Sequence, residues 1–219
     1  NIINRYKNNI SYIVSEADFG IFDAINKGVQ IASGDLIGLI HSGDSYEPNT
    51  IKIVAETFIK TNADIIYGDM YSKEVIDAVV ITKRHIANHT NLKNKMSIFH
   101  PSTFIKRKCY KEIGLYNTKY LLAADYDYLL KLYLLGKHFH HINKPLAIFL
   151  TGGLSGSNFS LSVKDNFNIR KQNLSVGFAV KYATNQILSY CFFSLRKKII
   201  EFFIGKSNYT KLKAKKFEK

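Results

Sequence analysis

The front of the chain alternates between short continuous apolar runs and longer stretches with apolar residues at helical spacing. The first strand candidate covers residues 10–14 and gives way to a polar loop over residues 15–20, which ends in Gly20. A helix fits residues 23–32, with Ala24, Ile25, Gly28, Val29 and Ala32 on one face and Gly34 as its stop. Residues 36–40 are a continuous apolar run of the kind buried on both faces of a parallel sheet. It ends in the polar turn of His41, Ser42, Gly43 and Asp44. A second helix starts at the capping pair Asn49 and Thr50, and its spacing puts Ile51, Val54, Ala55, Phe58 and Ile59 on one face. Residues 64–69 read as another buried strand. Strand, helix, strand, helix, strand is the rhythm of an α/β fold. Ligands in such sheets gather at the carboxyl ends of strands, where residues 41–44 fall.

Further on the pattern loosens. Residues 70–98 are polar and less regular, and read as a β-excursion or a loop. A helix is predicted over residues 107–113 with Gly114 as its stop, and a strong one opens at residues 123–127 and runs to Leu135 before Gly136. Residues 139–142 and 146–150 look like two strands split by Pro145. A polar, glycine-rich loop covers residues 151–156, and the tail reads as helical from about Asp165.

Composition changes this picture in one respect. The 219 residues are 46% hydrophobic and 22% charged, which suits one substantial domain. No apolar run reaches the roughly 18 residues of a spanning helix. Two cysteines, Cys109 and Cys191, are too few for a disulfide framework and fit a reducing compartment. The net charge of +14 is the unusual number and calls for an anionic partner. Its distribution is uneven. Residues 1–170 hold 20 Lys/Arg and 15 Asp/Glu, net +5, whereas residues 171–219 hold 11 and 2, net +9.

Several residues are candidates for chemistry. Asp44 follows a glycine at the end of a buried strand, where a carboxylate suits a hard divalent cation that also takes phosphate oxygens and water; equally it suits a turn or a helix cap. Asp125 at a helix entrance reads either as an N-terminal charge or as a general base, and Asp127 as a structural partner. His138 and His140 share a strand face, but no Cys or Glu sits at ligand spacing nearby. No P-loop, Gly-x-Gly-x-x-Gly, Cys-x-x-Cys or Gly-x-Ser-x-Gly pattern is present, which excludes most nucleotide hydrolases, dehydrogenases, zinc modules and α/β-hydrolases.

An ordered set of segments resembles family 2 glycosyltransferases. Residues 15–28 resemble that family's SEPDxGIYDAxNKG stretch, residues 32–37 its AxGDxI, and residues 41–44 its NSDD or NSGD form of the Asp-x-Asp motif. Residues 64–69 match DIVYGD, residues 100–103 and 123–127 match the acceptor side with its late acidic motif, and residues 152–155 match a terminal GGxS. The resemblance covers residues 10–158 in the family's order and points to bacterial enzymes of surface-polysaccharide biosynthesis, such as those of capsule and lipopolysaccharide. It implies a GT-A fold: a mostly parallel central sheet flanked by helices, here with the first βαβ segment missing and a helical C-terminal tail. It also implies transfer of sugar from a nucleotide-diphosphate donor to a saccharide or lipid-linked saccharide, with inversion. In that scheme Asp44 is the ligand of Mn2+ or Mg2+ and Asp125 the base. Glu16, Asp18, Gly20, Asp23, Asn26, His41, Ser42, His100, Gly153 and Ser155 are the substrate contacts.

The departures are specific. Gly43 replaces one carboxylate, His41 stands where Asn or Asp is usual, and Ala124 replaces an acidic residue before Asp125. The family's opening strand, helix and strand are not seen before residue 10, so the expectation is a catalytic domain over residues 1–160 without its nucleobase-binding segment. Residues 161–219 are expected to be a basic amphipathic tail. Leu188, Phe192, Leu195, Ile199 and Phe202 fall on one stripe there, with Arg196, Lys197 and Lys198 largely outside it. Such a helix suits an anionic membrane interface on the cytoplasmic side, or packs on the catalytic domain. Two rival readings are an inactive remnant and a basic nucleic-acid binder; the second lacks any nucleic-acid motif, so no nucleic acid is expected as partner.

Overall fold

The computed structural model describes residues 2–76, 79–152, 158–205 and 208–209. In chain order the elements are α1 (Ile2–Arg5), α2 (Ile21–Ile31), β1 (Leu36–Gly38), β2 (Ser45–Tyr46), α3 (Thr50–Thr61), β3 (Ile65–Ile76) and β4 (Val79–His85). They continue with β5 (Thr103–Lys106), α4 (Arg107–Ile113), α5 (Ala124–Leu134), β6 (Phe139–Leu150), α6 (Phe159–Asn173) and α7 (Val176–Ile204).

One six-stranded sheet organises them, in the order β1-β5-β3-β6-β2 with β4 paired to β3. Alternation along its strands separates two cores. Ile65, Tyr67 and Ile105 face α2, α4, α5 and α6, whereas Ile66, Phe104, Ile142 and Leu146 face Val54 of α3. The α/β layering expected from the sequence is present. The expectation of a mostly parallel sheet is corrected to a mixed one: β3 and β6 are parallel, but β1/β5, β3/β5, β3/β4 and β2/β6 are antiparallel. An apolar run reports burial, not direction, and the short β5 enters the sheet between β1 and β3 against both.

Other differences have local causes. Residues 10–14 form no strand, and residues 2–20 are exposed throughout, because no strand lies beside them among the described residues. The 36–40 run is only partly covered: Ile37 is buried and Leu36 and Leu39 pack partly against the two cores, but Ile40 lies beyond the end of β1 and is 44% exposed. The buried face of α2 carries Phe22, Ile25, Asn26 and Val29, so Ala24 and Gly28 point away. In α3, Thr50 and Val54 are buried and Ile59 is 82% exposed; Asn49 takes a left-handed conformation and makes no side-chain cap, while the Thr50 hydroxyl donates to the Leu146 carbonyl (2.7 Å). Residues 70–76 and 79–85 pair as antiparallel strands, and α6 starts at Phe159, sooner than expected.

The two strands expected around Pro145 are one, β6. Its register against β3 jumps from Gly68 opposite Ile142 to Asp69 opposite Pro145, so Asn143 and Lys144 are looped out. The jump brings β6 so close that a Cβ on Gly68 would strike Leu146 and lie 2.7 Å from the Lys144 carbonyl oxygen. Helices α4 and α5 end where Gly114 (φ 94°) and Gly136 (φ 67°) reverse the chain.

Helix α6 is fastened to this body. Ile169 is fully buried, the Leu122 N–H donates to Asp165 (2.9 Å), and the Arg170 guanidinium lies between the rings of Tyr126 and Tyr182 (4.7 and 4.8 Å). Helix α7 is different: only Ala179 is buried, and Phe192, Phe193, Leu195, Ile199, Phe202 and Phe203 are exposed. No helix among the described residues is long and apolar enough to cross a membrane. The crowding at Gly68 predicts that Gly68→Ala lowers unfolding free energy by about 1–3 kcal/mol, measured by denaturant titration with an unchanged m-value.

Candidate active site

The loop after β1 turns at residues 41–44, where the Asp44 N–H donates to the His41 carbonyl (3.0 Å) and Gly43 sits at φ 92°. That turn aims the Asp44 carboxyl back at β6. One oxygen, Oδ1, accepts from the Leu150 N–H (3.1 Å); the other, Oδ2, is buried without a hydrogen-bond partner. Burial pushes this carboxyl above its ordinary pKa, against the opposing pull of the Leu150 N–H and His41. An orphaned carboxylate oxygen beside a loop is what a cation ligand requires. No group of three or more His, Cys, Asp or Glu side chains is placed to hold a metal among the described residues, so further ligands would be phosphate oxygens and water.

Asp125 occupies the first turn of α5. Its Oδ1 accepts from the Tyr126 N–H (2.8 Å), which fixes the carboxyl, while enclosure by protein pushes its pKa up to about 6. Asp127 is the structural partner expected: it is buried, bound by Lys131 (2.6 Å) and Asn173 (2.9 Å).

The surroundings of the two carboxylates are linked through Tyr116, which sequence reasoning missed. Asn26 of α2 clasps its backbone, donating from Nδ2 to the Tyr116 carbonyl (2.9 Å) and accepting from its N–H at Oδ1 (3.0 Å). The buried Tyr116 hydroxyl lies 2.9 Å from that of Tyr110 and 3.3 Å from His100 Nε2. His100 Nδ1 in turn lies 3.2 Å from His41 Nε2. Burial drives the His100 pKa down to about 3, so its ring is neutral. Tyr116 also interacts electrostatically with Asp125. Asn26, His41 and His100 therefore meet on one network that runs from the Asp44 turn to the mouth of α5. The only signal for Tyr116 in the chain is its position two residues past the helix-stopping Gly114, within a loop that leads into Asp125.

The other candidates lie apart. Glu16 is paired with Lys27 (2.8 Å), Asp18 holds the Gly20 N–H (2.9 Å), and Asp23 accepts from the Phe19 N–H (3.1 Å), so all three brace the entry to α2. Glu16, Asp18 and Lys27 line an open cleft of about 700 Å3 that also includes Ser15, Gly28 and Ser33. That cleft is on the face of α2 opposite Asn26, and neither Asp44 nor Asp125 lines it. Ser42 is exposed on its turn. Gly153 and Ser155 lie outside the described residues.

A second buried hub stabilises the sheet behind the site. Asp69 is fully buried and accepts from Arg84 (2.6 Å), the Ala87 N–H (3.0 Å) and His141 Nε2 (2.9 Å). Burial alone would raise its pKa, but these donors hold it below the ordinary value.

Residues 1–114 match the family described as Glycosyl transferase family 2. The PGL/p-HBAD biosynthesis glycosyltransferase of Mycobacterium bovis is 29% identical over 149 residues, covering 65% of this chain and 56% of that protein. The chondroitin synthase of Pasteurella multocida is 31% identical over 188 residues, covering 78% of this chain and 18% of that protein. The crystal structure of S. aureus TarS residues 1–349 in complex with UDP-GlcNAc superposes with a TM-score of 0.56 at 14% identity, covering 85% of this chain and 58% of that one. The fold is thus GT-A, and the chain spans only part of each of these proteins.

The raised Asp125 pKa has a stability consequence. The ionised carboxyl is disfavoured in the folded state, so the penalty is absent below about pH 4, grows through about pH 6 and is full above it. Asp125→Asn is expected to be more stable than the parent by on the order of 1 kcal/mol at pH 7.5, a value discounted for the side chain's partial solvent contact. Thermal melts at pH 7.5 and pH 4 check this, with the difference vanishing at the lower pH.

Proposed function

The chain belongs to glycosyl transferase family 2, and on that premise we propose that it moves a sugar from a nucleotide-diphosphate donor to a saccharide or lipid-linked saccharide, with inversion, in cell-surface polysaccharide biosynthesis. The observation that carries this reading is the pair of carboxylates in contrasting settings. Asp44 offers a buried, unpartnered oxygen at a loop, and Asp125 is held at a helix entrance with its pKa raised towards neutrality.

In the reaction, Asp125 takes the proton of the acceptor hydroxyl as its oxygen attacks the anomeric carbon. The bond from that carbon to the diphosphate oxygen breaks, and its electron pair leaves with the nucleoside diphosphate. For inversion the base lies opposite the leaving group. Enzymes of this fold commonly use a divalent metal. The Asp44 carboxylate fits Mn2+ or Mg2+, which would stabilise the charge gathering on the diphosphate. His41 and Ser42 flank that position, and His100 stands behind His41. Asn26 contributes by holding Tyr116, since both ends of its amide are engaged there. Glu16, Asp18, Gly20 and Asp23 act on donor binding indirectly, by bracing the entry to α2 that carries Asn26, and Gly153 and Ser155 complete the set by their motif.

For the whole chain we propose a catalytic body over residues 1–160 and a tail over residues 161–219, with α6 serving as the joint. The exposed apolar side chains of α7 lie on either side of the basic block Arg196, Lys197 and Lys198, and the last 49 residues carry +9. That combination supports peripheral attachment to an anionic membrane surface on the cytoplasmic side, where a lipid-linked acceptor would be presented.

Two results test these readings. Transfer from a sugar-nucleotide panel should be lost in Asp125→Asn with donor affinity retained by calorimetry, and the parent rate should rise with pH through about 6 as the base ionises. Parent-like turnover in that variant would remove Asp125 as the base. The protein should co-sediment with phosphatidylglycerol vesicles and not with neutral ones. Phe192→Ser combined with Phe193→Ser should weaken that binding several-fold; equal binding to both kinds of vesicle would contradict the attachment.

A further inference from the structure

The row of hydrogen bonds from Tyr110 to His41 has a direction, and the direction can be worked out by counting hydrogens. A neutral imidazole carries one N–H, so one ring nitrogen of His100 donates and the other accepts. Its two bonds, to His41 Nε2 (3.2 Å) and to the Tyr116 hydroxyl (3.3 Å), must therefore point the same way along the chain.

If they point inward, from His41 to Tyr116, then the Tyr116 oxygen accepts from His100 Nε2–H. The hydroxyl pair Tyr110 and Tyr116, 2.9 Å apart, then has two hydrogens but only one internal bond to make. One hydroxyl hydrogen is left over. Both residues are buried, and no other hydrogen-bond partner of either hydroxyl is found among the described residues. An unsatisfied buried O–H is costly, and the Tyr128 hydroxyl, whose ring lies against both tyrosines, already lacks a partner, so the inward direction would add a second unpartnered hydroxyl hydrogen to the same cluster. If the bonds point outward, every hydrogen is used. Tyr110 donates to Tyr116, Tyr116 donates to His100 Nε2, and His100 Nδ1–H donates to His41 Nε2. His41 must then carry its own hydrogen on Nδ1.

We propose that Tyr110, Tyr116 and His100 are positioning residues that fix His41 as the Nδ1–H tautomer, so that it serves as a hydrogen-bond donor to the donor's diphosphate and not as a metal ligand. The diphosphate part of the assignment rests on the glycosyltransferase reading above; the tautomer part does not. The chemistry is consistent at both ends. A diphosphate only accepts hydrogen bonds, so an N–H on the ring at the start of the Asp44 turn matches it. A ring whose Nδ1 bears hydrogen and whose Nε2 accepts from His100 has no lone pair left for a cation, which leaves Asp44 as the protein's metal ligand.

The test is a long-range 1H–15N spectrum of the histidine rings, in the full chain, near pH 7.5. The expected pattern is Nδ1–H with a bare Nε2 for both His41 and His100. An Nε2–H tautomer at His41 overturns the proposal. Tyr116→Phe removes the donor to His100 Nε2 and should return both rings to Nε2–H; unchanged tautomers in a folded variant overturn the relay. The parent spectrum needs no variant, so poor folding of Tyr116→Phe leaves the test intact. Adding UDP or GDP with Mg2+ should shift the His41 Nδ1 resonance, and Tyr116→Phe should bind the same nucleotide roughly tenfold more weakly. A nucleotide that binds without moving that resonance overturns the diphosphate contact. Failure of every nucleoside diphosphate to bind counts against the glycosyltransferase reading itself, while the tautomers still report on the relay.

Discussion

The amide of Asn26 grips the backbone of Tyr116 at both its N–H and its carbonyl, joining α2 to a loop 90 residues away. Both groups are buried, so breaking the clasp would strand polar atoms on each side. The whole front of the site depends on this clasp. The held loop runs on into α5 and so places Asp125. The ring of Tyr116 packs on Phe22 and Tyr128, and its hydroxyl reaches the histidines that stand behind the Asp44 turn. Elements that share no strand pairing, α2, the 41–44 loop and α5, are thereby given one geometry.

The mixed sheet supplies the floor beneath them. β5 runs antiparallel to both its neighbours, so its amino end, which carries His100, emerges beside the loop that leaves β1 at its carboxyl end. A parallel β5 would have put His100 at the other edge of the sheet, away from His41. The looped-out Asn143 and Lys144 allow β6 to stay paired through Leu150, whose N–H then orients the Asp44 carboxyl. Asp69, bound from three sides, locks β4 and β6 to β3 at the level of that irregularity.

Much of this was legible in the sequence, and the unread parts share a cause. The helices stopped by Gly114 and Gly136 were readable because a glycine at positive φ is a local requirement. The order of motifs led to the family and to Asp44 and Asp125 as candidates. Strand direction was not readable, because Ile65 and Ile105 are equally apolar whichever way β5 runs. The buried faces of α2 and α3 were misjudged by a turn or less, because Asn26 and Thr50 are polar yet buried, each with its hydrogen bonds made to distant backbone. Tyr116 was invisible for the same reason. Its importance lies in contacts with residues 26, 100 and 110, none of which its own neighbours in the chain announce. The acidic loop before α2 shows the converse: Glu16 and Asp18 look like ligand contacts in the motif, but their carboxylates are engaged in bracing that loop and face the cleft behind α2.

The central proposal is that the donor's diphosphate and its cation lie at Asp44, on the Asn26 side of α2, and not in the open cleft lined by Glu16 and Lys27. A crystal structure with UDP and Mn2+, with the metal located by anomalous scattering, tests it most directly. The account predicts a manganese peak at Asp44 Oδ2 bridging to the phosphates, with His41 Nδ1 within hydrogen-bond distance of a phosphate oxygen. A manganese peak and diphosphate beside Glu16 and Asp18, with Asp44 Oδ2 still unpartnered, would contradict it.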